Sequence, residues 1–118
     1  MQDPETIPQS PQACPVRVVS AQPDPVYSRL LAMEPEGWLG SDVGLSIPLS
    51  PEKSLWLFGD TFVGHLEENG QRARGAAFIN NSIGIQDRSS LPGKMRYYWK
   101  TDANGKPASF FPHQEGTF

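Results

Sequence analysis

From Val43 to Leu49 apolar side chains fall on every second position (Val43, Leu45, Ile47, Leu49), with small or polar residues between them. That spacing predicts a strand with one apolar face. Leu55–Phe58 is a short continuous apolar run, and the Ser50-Pro51-Glu52-Lys53 segment before it is turn material, so the two runs predict an antiparallel hairpin. Ala76–Gln86 predicts a third strand, with Phe78, Ile83 and Ile85 apolar and a polar Asn80-Asn81-Ser82 set in its middle. Met95–Lys100 predicts a fourth, after a turn around Pro92-Gly93, and Asn104-Gly105 predicts a hairpin turn leading into Ala108–Phe111. The four main strands are expected near 43–49, 54–60, 77–86 and 95–100, and Gly64–Gly75 as an exposed loop between the second and third. Upstream, Val26–Met33 has the spacing of two helical turns, which Pro35 ends. Val16–Val19 reads as one short strand, and Glu36–Gly40 as a lead-in whose glycines let the backbone bend around Trp38.

Four strands joined in order by turns make an all-β, four-stranded antiparallel meander, the unit of a propeller blade or a simple barrel. Such a sheet alone leaves its faces and edges open, so the chain is expected to be part of a larger protein. Composition agrees with the β class: 12 prolines and 11 glycines in 118 residues imply many turns and few long helices. Six of those prolines lie in residues 1–25, an extended lead-in ahead of a domain over 26–118. Thirteen acidic against ten basic residues, a net charge of −3, with no basic cluster, argue against nucleic acid as a partner. Cys14, the one cysteine, rules out an internal disulfide and a thiolate metal site. No apolar stretch is long enough to span a membrane, and the N-terminus as given carries no signal-peptide pattern.

The chemistry concentrates at the hairpin's open end, where Asp42 begins the first strand and Asp60 ends the second. A three-residue loop at Ser50–Glu52 puts Asp42 directly across from Asp60 on one face; a four-residue loop puts them on opposite faces. On one face they form a close carboxyl pair, in which like charge raises one pKa and keeps that group protonated while the other stays ionised. The plainer reading of Asp60, before Thr61, is a turn cap. Asn80, Asn81 and Ser82 either bind a polar ligand or satisfy backbone groups between strands, and their sequon, set within a strand, is not expected to carry a glycan. Arg74 either pairs with a carboxylate or is solvated. Trp38, Trp56 and Trp99 read as packing residues, with Trp38, near Asp42, also placed to stack on a ligand ring. His65 with Glu67 and Glu68 lacks a second histidine at ligand spacing, so no metal or other cofactor is expected.

The series GWLGSD, SIPL, LWLFGDTFVG, Arg74 and INNSIGI, over about residues 26–87, resembles the opening of five-bladed β-propellers related to glycoside hydrolases. In particular it resembles a bacterial family long labelled a domain of unknown function, some of whose members are endo-D-arabinanases. The resemblance implies a first blade at about 42–100 and the start of a second at about 106–118, the remaining blades lying elsewhere in the same propeller. It implies catalytic roles for Asp42, as base, and Asp60, at the mouth of a central channel, with Trp38, Arg74, Asn81 and Ser82 as substrate-binding candidates. The implied substrate is an arabinan-like polysaccharide or oligosaccharide, and the implied location secreted or periplasmic. A carbohydrate-binding or scaffolding propeller without catalysis is the alternative, since one fold hosts many activities.

Overall fold

The computed structural model describes residues 15–90 and 93–113. The lead-in up to Cys14, the Pro92 of the expected turn and the last five residues of the second-blade segment lie outside the described residues. One short helix, α1 (Pro25–Leu30), precedes nine strands: β1 (Glu36–Ser41), β2 (Gly44–Pro48), β3 (Lys53–Phe58), β4 (Thr61–His65), β5 (Ala77–Ile79), β6 (Ser82–Asp87), β7 (Lys94–Tyr98), β8 (Lys100–Thr101) and β9 (Pro107–Ala108). The all-β, antiparallel expectation holds, while Val16–Val19 is exposed and outside any strand. That segment has no partner strand among the described residues to take up its backbone groups. The helix starts one residue before the expected Val26, where Asp24 caps it by accepting from Val26 N–H at 2.9 Å with Pro25 in the first turn, and it is shorter than Val26–Met33 because Leu31 already leaves the helical conformation.

The single four-stranded sheet expected over residues 42–100 is divided. β2-β3-β6-β7 form one antiparallel sheet and β1-β4-β5 another, with β8-β9 a small hairpin beyond. Glu36–Gly40, read as a lead-in, belongs to β1, and Gly64 and His65, read as the start of the exposed loop, are the end of β4, Thr61–His65. The division has a simple geometry. β1 gives way to β2 at Asp42–Val43, β3 to β4 at Gly59–Asp60, and β5 to β6 at Asn80–Asn81. The β3–β6 and β4–β5 pairings keep one offset, Phe58 facing Ser82 and Thr61 facing Ile79, so Gly59–Asp60 lies opposite Asn80–Asn81. Asp42 N–H donates to the Asp60 carbonyl at 3.0 Å, and Gly59 N–H to the Asp42 carbonyl at 3.1 Å. Three neighbouring strands therefore bend along one line, and a β-bulge lies just ahead of it in β1, where Leu39 and Gly40 oppose Phe62 between the Trp38–Val63 and Ser41–Thr61 pairs.

Between the two halves lies an aromatic core. Trp38 of β1 stacks on Tyr97 of β7 with ring centres 4.1 Å apart and meets Phe58 of β3 at 5.3 Å. Tyr97 Oη donates to the Leu30 carbonyl at the end of α1, and Tyr27 of α1 covers Trp56. Leu39, Val63 and Ile79 complete the buried set. On the four-stranded sheet this core lies against the face carrying Trp56, Phe58 and Tyr97, whose partners across the strands are small: Gly44, Ser46 and Gly84. The alternating residues Leu45 and Ile47 stand on the other face, in register with Leu57, Ile83, Leu55 and Ile85. That face is apolar yet β2 is exposed throughout.

Candidate functional site

The bend line is where the polar residues of the hairpin end collect. Its position depends on the turn at residues 50–52: Leu49 N–H bonds the Lys53 carbonyl, leaving a three-residue loop in which the Ser50 hydroxyl accepts from the N–H groups of Glu52 and Lys53. With that loop length Gly44 faces Phe58, and the same offset brings Asp42 opposite Asp60. Both aspartates are exposed and line one cleft of about 380 Å³.

Local backbone chemistry holds this end open. Val43 has φ +48°, a left-handed conformation that a β-branched residue rarely adopts, which turns the chain out of β1 directly after Asp42. Across the pair stands Gly59, and a Cβ there would collide with Asp42 Oδ1. The missing side chain is what gives the Asp42 carboxylate its place. Beneath, the Thr61 hydroxyl donates to the Gly59 carbonyl at 2.7 Å and pairs with the Ser82 hydroxyl at 2.8 Å, both residues being fully buried. This internal link ties β3, β4 and β6 together under the bend.

The remaining walls come from β4, β5 and the loop between them. Phe62 and Phe78 are direct cross-strand partners and meet edge to face at 5.0 Å, on the face opposite buried Thr61 and Val63. The Arg72 guanidinium lies over the Phe62 ring, 3.7 Å from its centre. The loop holding Arg72 is tightly wound: Leu66 and Arg72 form a β-bridge, Glu67 N–H donates to the Gln71 carbonyl, and Ala73 N–H to the His65 carbonyl.

The candidates named from sequence separate in the structure. Asp42 and Asp60 come together. Trp38 is 3% exposed and stacked in the core beside the bend, its ring face occupied by Tyr97; its indole N–H has no hydrogen-bond partner among the described residues. Ser82 is fully buried, and its hydroxyl is committed to Thr61. Asn81 clamps the chain ahead: its Oδ1 accepts from Phe111 N–H at 2.7 Å and its Nδ2 donates to the Phe111 carbonyl at 3.1 Å. Asn80 is exposed at the bend, not inside a strand, so burial in a strand does not shield its sequon; its backbone N–H donates to Ser109. Arg74 is exposed outside the cleft, and Arg72, two residues earlier, occupies the position expected of it. Sequence reasoning passed over Arg72, Phe62 and Phe78. The alternation of Phe62 with Thr61 and Val63 was a usable signal for the first stretch of β4; the choice between Arg72 and Arg74 had none. His65 lies 3.8 Å from Glu36, and no metal-holding group of three acids, histidines or cysteines occurs among the described residues.

Neither a curated protein nor a solved structure matches this chain. Residues 24–116 match a family described as Domain of unknown function (DUF5005), a span that includes the bend, the cleft and the Asn81 clamp. The chain belongs to the DUF5005 family.

Proposed function

We propose that this chain is the N-terminal part of a propeller-type glycoside hydrolase acting on an arabinan-like polysaccharide, with Asp42 and Asp60 as its working carboxylates at the channel mouth. The sequence resemblance motivates the fold and substrate. The observation that carries the chemistry is the opposition of the two aspartates at the bend, both exposed in a cleft that also has aromatic and guanidinium walls. A saccharide site needs that mixture, since sugars offer apolar ring faces and polar hydroxyl edges.

Residues opposed across an antiparallel pair hold their Cβ atoms about 4.5–5.5 Å apart. Inverting glycosidases hold their two carboxyl groups about 6.5–9.5 Å apart to admit a water. In an inverting reaction Asp42 is therefore the base, Asp60 shares that role beside it, and the proton donor comes from a later blade. The apolar face bearing Leu45, Ile47, Leu55 and Ile85 is, in this reading, where a neighbouring blade packs.

The test is turnover of arabino-oligosaccharides by the full-length protein. Asp42→Asn and Asp60→Asn each lower it roughly 10²–10⁴-fold, the usual worth of a positioned acid or base, with the melting temperature unchanged. Full activity in Asp42→Asn removes the catalytic reading. One observation favours a second reading, a carbohydrate-binding propeller without catalysis: among the described residues the cleft holds no acid beyond Asp42 and Asp60. In that case both variants bind oligosaccharide and the wild type releases no product.

A further inference from the structure

We propose that Arg72 and Phe78 form the sugar-holding wall of the Asp42–Asp60 cleft and that the saccharide they select there is neutral; this rests on the saccharide reading above. Phe62 and Phe78 share the cleft but differ in what covers them. The Phe62 ring carries the Arg72 guanidinium at 3.7 Å, so that face is closed to a ligand. Phe78 is 55% exposed and meets Phe62 only through an edge-to-face contact, which leaves a ring face for stacking against the C–H face of a sugar.

Arg72 supplies the polar counterpart. A guanidinium lying flat on an aromatic ring keeps its N–H donors pointing outward in the plane, and stacking fixes that plane. Among the described residues Arg72 makes no ion pair with any carboxylate, Asp42 and Asp60 included. Its backbone is held by the Leu66 bridge and the bonds on either side of it, so the donor fork is positioned before any ligand arrives. A fixed fork beside an open aromatic face suits adjacent hydroxyls on one sugar ring.

Charge decides against an acidic sugar. The cleft lining contains two carboxylates against one guanidinium, so a uronate entering it meets net repulsion, while a neutral saccharide meets none.

The experiment is calorimetric binding to the full-length protein: neutral arabino-oligosaccharides to the Asp42→Asn variant, so that ligand is not consumed, and oligogalacturonides, the acidic probe, to the protein with both aspartates intact. Adding Phe78→Ala weakens affinity about 2- to 13-fold, the range for a lost aromatic contact. Adding Arg72→Met, which keeps the packing over Phe62 and removes the donors, weakens it about 10- to 100-fold. Arg72→Lys restores part of the loss. The proposal is overturned if both additions leave neutral-sugar affinity unchanged, if no neutral saccharide binds, or if the acidic probe binds more tightly. Hydrolysis is read separately in proteins with Asp42 and Asp60 intact: binding that depends on Arg72 and Phe78 without any turnover retains this site and ends the hydrolase reading, whereas turnover indifferent to both residues does the reverse.

Discussion

Two residues at the bend carry opposite costs, and substitution separates them. Val43 holds a left-handed backbone conformation with its side chain 66% exposed, so it pays about 1–2 kcal/mol of backbone strain and little packing offsets it. Val43→Asn, which tolerates that conformation, is expected to raise unfolding free energy by about 1 kcal/mol in urea titrations. Gly59 behaves differently. Its constraint is the Asp42 carboxylate, so Gly59→Ala pushes Asp42 aside and, if the chain is the hydrolase proposed above, lowers turnover about 10²-fold, the scale of a misplaced reacting group, while the melting temperature shifts little. Unchanged turnover in Gly59→Ala would show that the observed Asp42 position is not the working one. Tyr97 adds a pH prediction. Burial, with the Glu34 carboxylate adding to it, pushes its phenol well above the ordinary value near 10. The folded chain thus keeps the proton where the unfolded chain loses it, so this contribution is complete below pH 10 and fades as pH rises beyond it. Tyr97→Phe loses the bond to the Leu30 carbonyl, costing about 0.5–1.5 kcal/mol at neutral pH, and also lacks this alkaline decline. Unfolding curves at neutral pH and above pH 10 check both parts.

At the scale of elements, the strand pairing was legible in the sequence and the bend was not. Alternation from Val43 to Leu49 and the run Leu55–Phe58 located β2 and β3, and turn residues at Ser50–Glu52 allowed the register that the structure adopts. Period-2 patterning hid the fold line, however: the buried positions shift from Ser54 and Phe58 to Thr61 and Val63 along β3–β4, and from Ile79 to Ser82 and Gln86 along β5–β6, but apolar residues occupy both phases, so the shift leaves no clean break in the pattern. Phe78 and Ser82 stand on either side of the bend in what reads as one strand. The polar Asn80-Asn81-Ser82 set was the trace of the interruption, and it reads equally as a buried polar cluster. Only Ser82 proves to be that. Its hydroxyl and that of Thr61 are sealed together, with Thr61 also bonded to the Gly59 carbonyl. Thr61→Val strands the Ser82 hydroxyl and the Gly59 carbonyl together and is expected to cost about 1–3 kcal/mol. Ser82→Ala leaves Thr61 its second bond and costs less. The double variant falls short of the sum of the two in denaturant unfolding, because the residues act as one unit. Strict additivity would mean that the hydroxyl link contributes nothing to joining the strands.

For the whole molecule the governing feature is an asymmetry between the two faces of the four-stranded sheet. One face is covered by Trp38 and α1; the other presents Leu45, Leu57 and Ile83 in one row and Ile47, Leu55 and Ile85 in the next. The edge strand β2 deepens the exposure, with Leu45 at 61%, Ile47 at 44% and no strand among the described residues paired on its outer side. Contiguous apolar surface beside an open edge drives association, by face packing and by strand addition. In a propeller a neighbouring blade takes this face; made alone, the chain has only other copies of itself to offer. Sedimentation velocity of the isolated chain is therefore expected to show mass rising with concentration. Leu45→Lys with Ile47→Lys, which places charge on the open edge and the apolar face together, shifts the population toward monomer while leaving the β-sheet circular dichroism signal in place. Both positions are exposed and neither lines the Asp42–Asp60 cleft, so saccharide binding is unaffected by the pair. A chain that stays monomeric across the concentration range, with cooperative unfolding, would show instead that the exposed face needs no partner and that the two sheets about the bend form a self-sufficient domain.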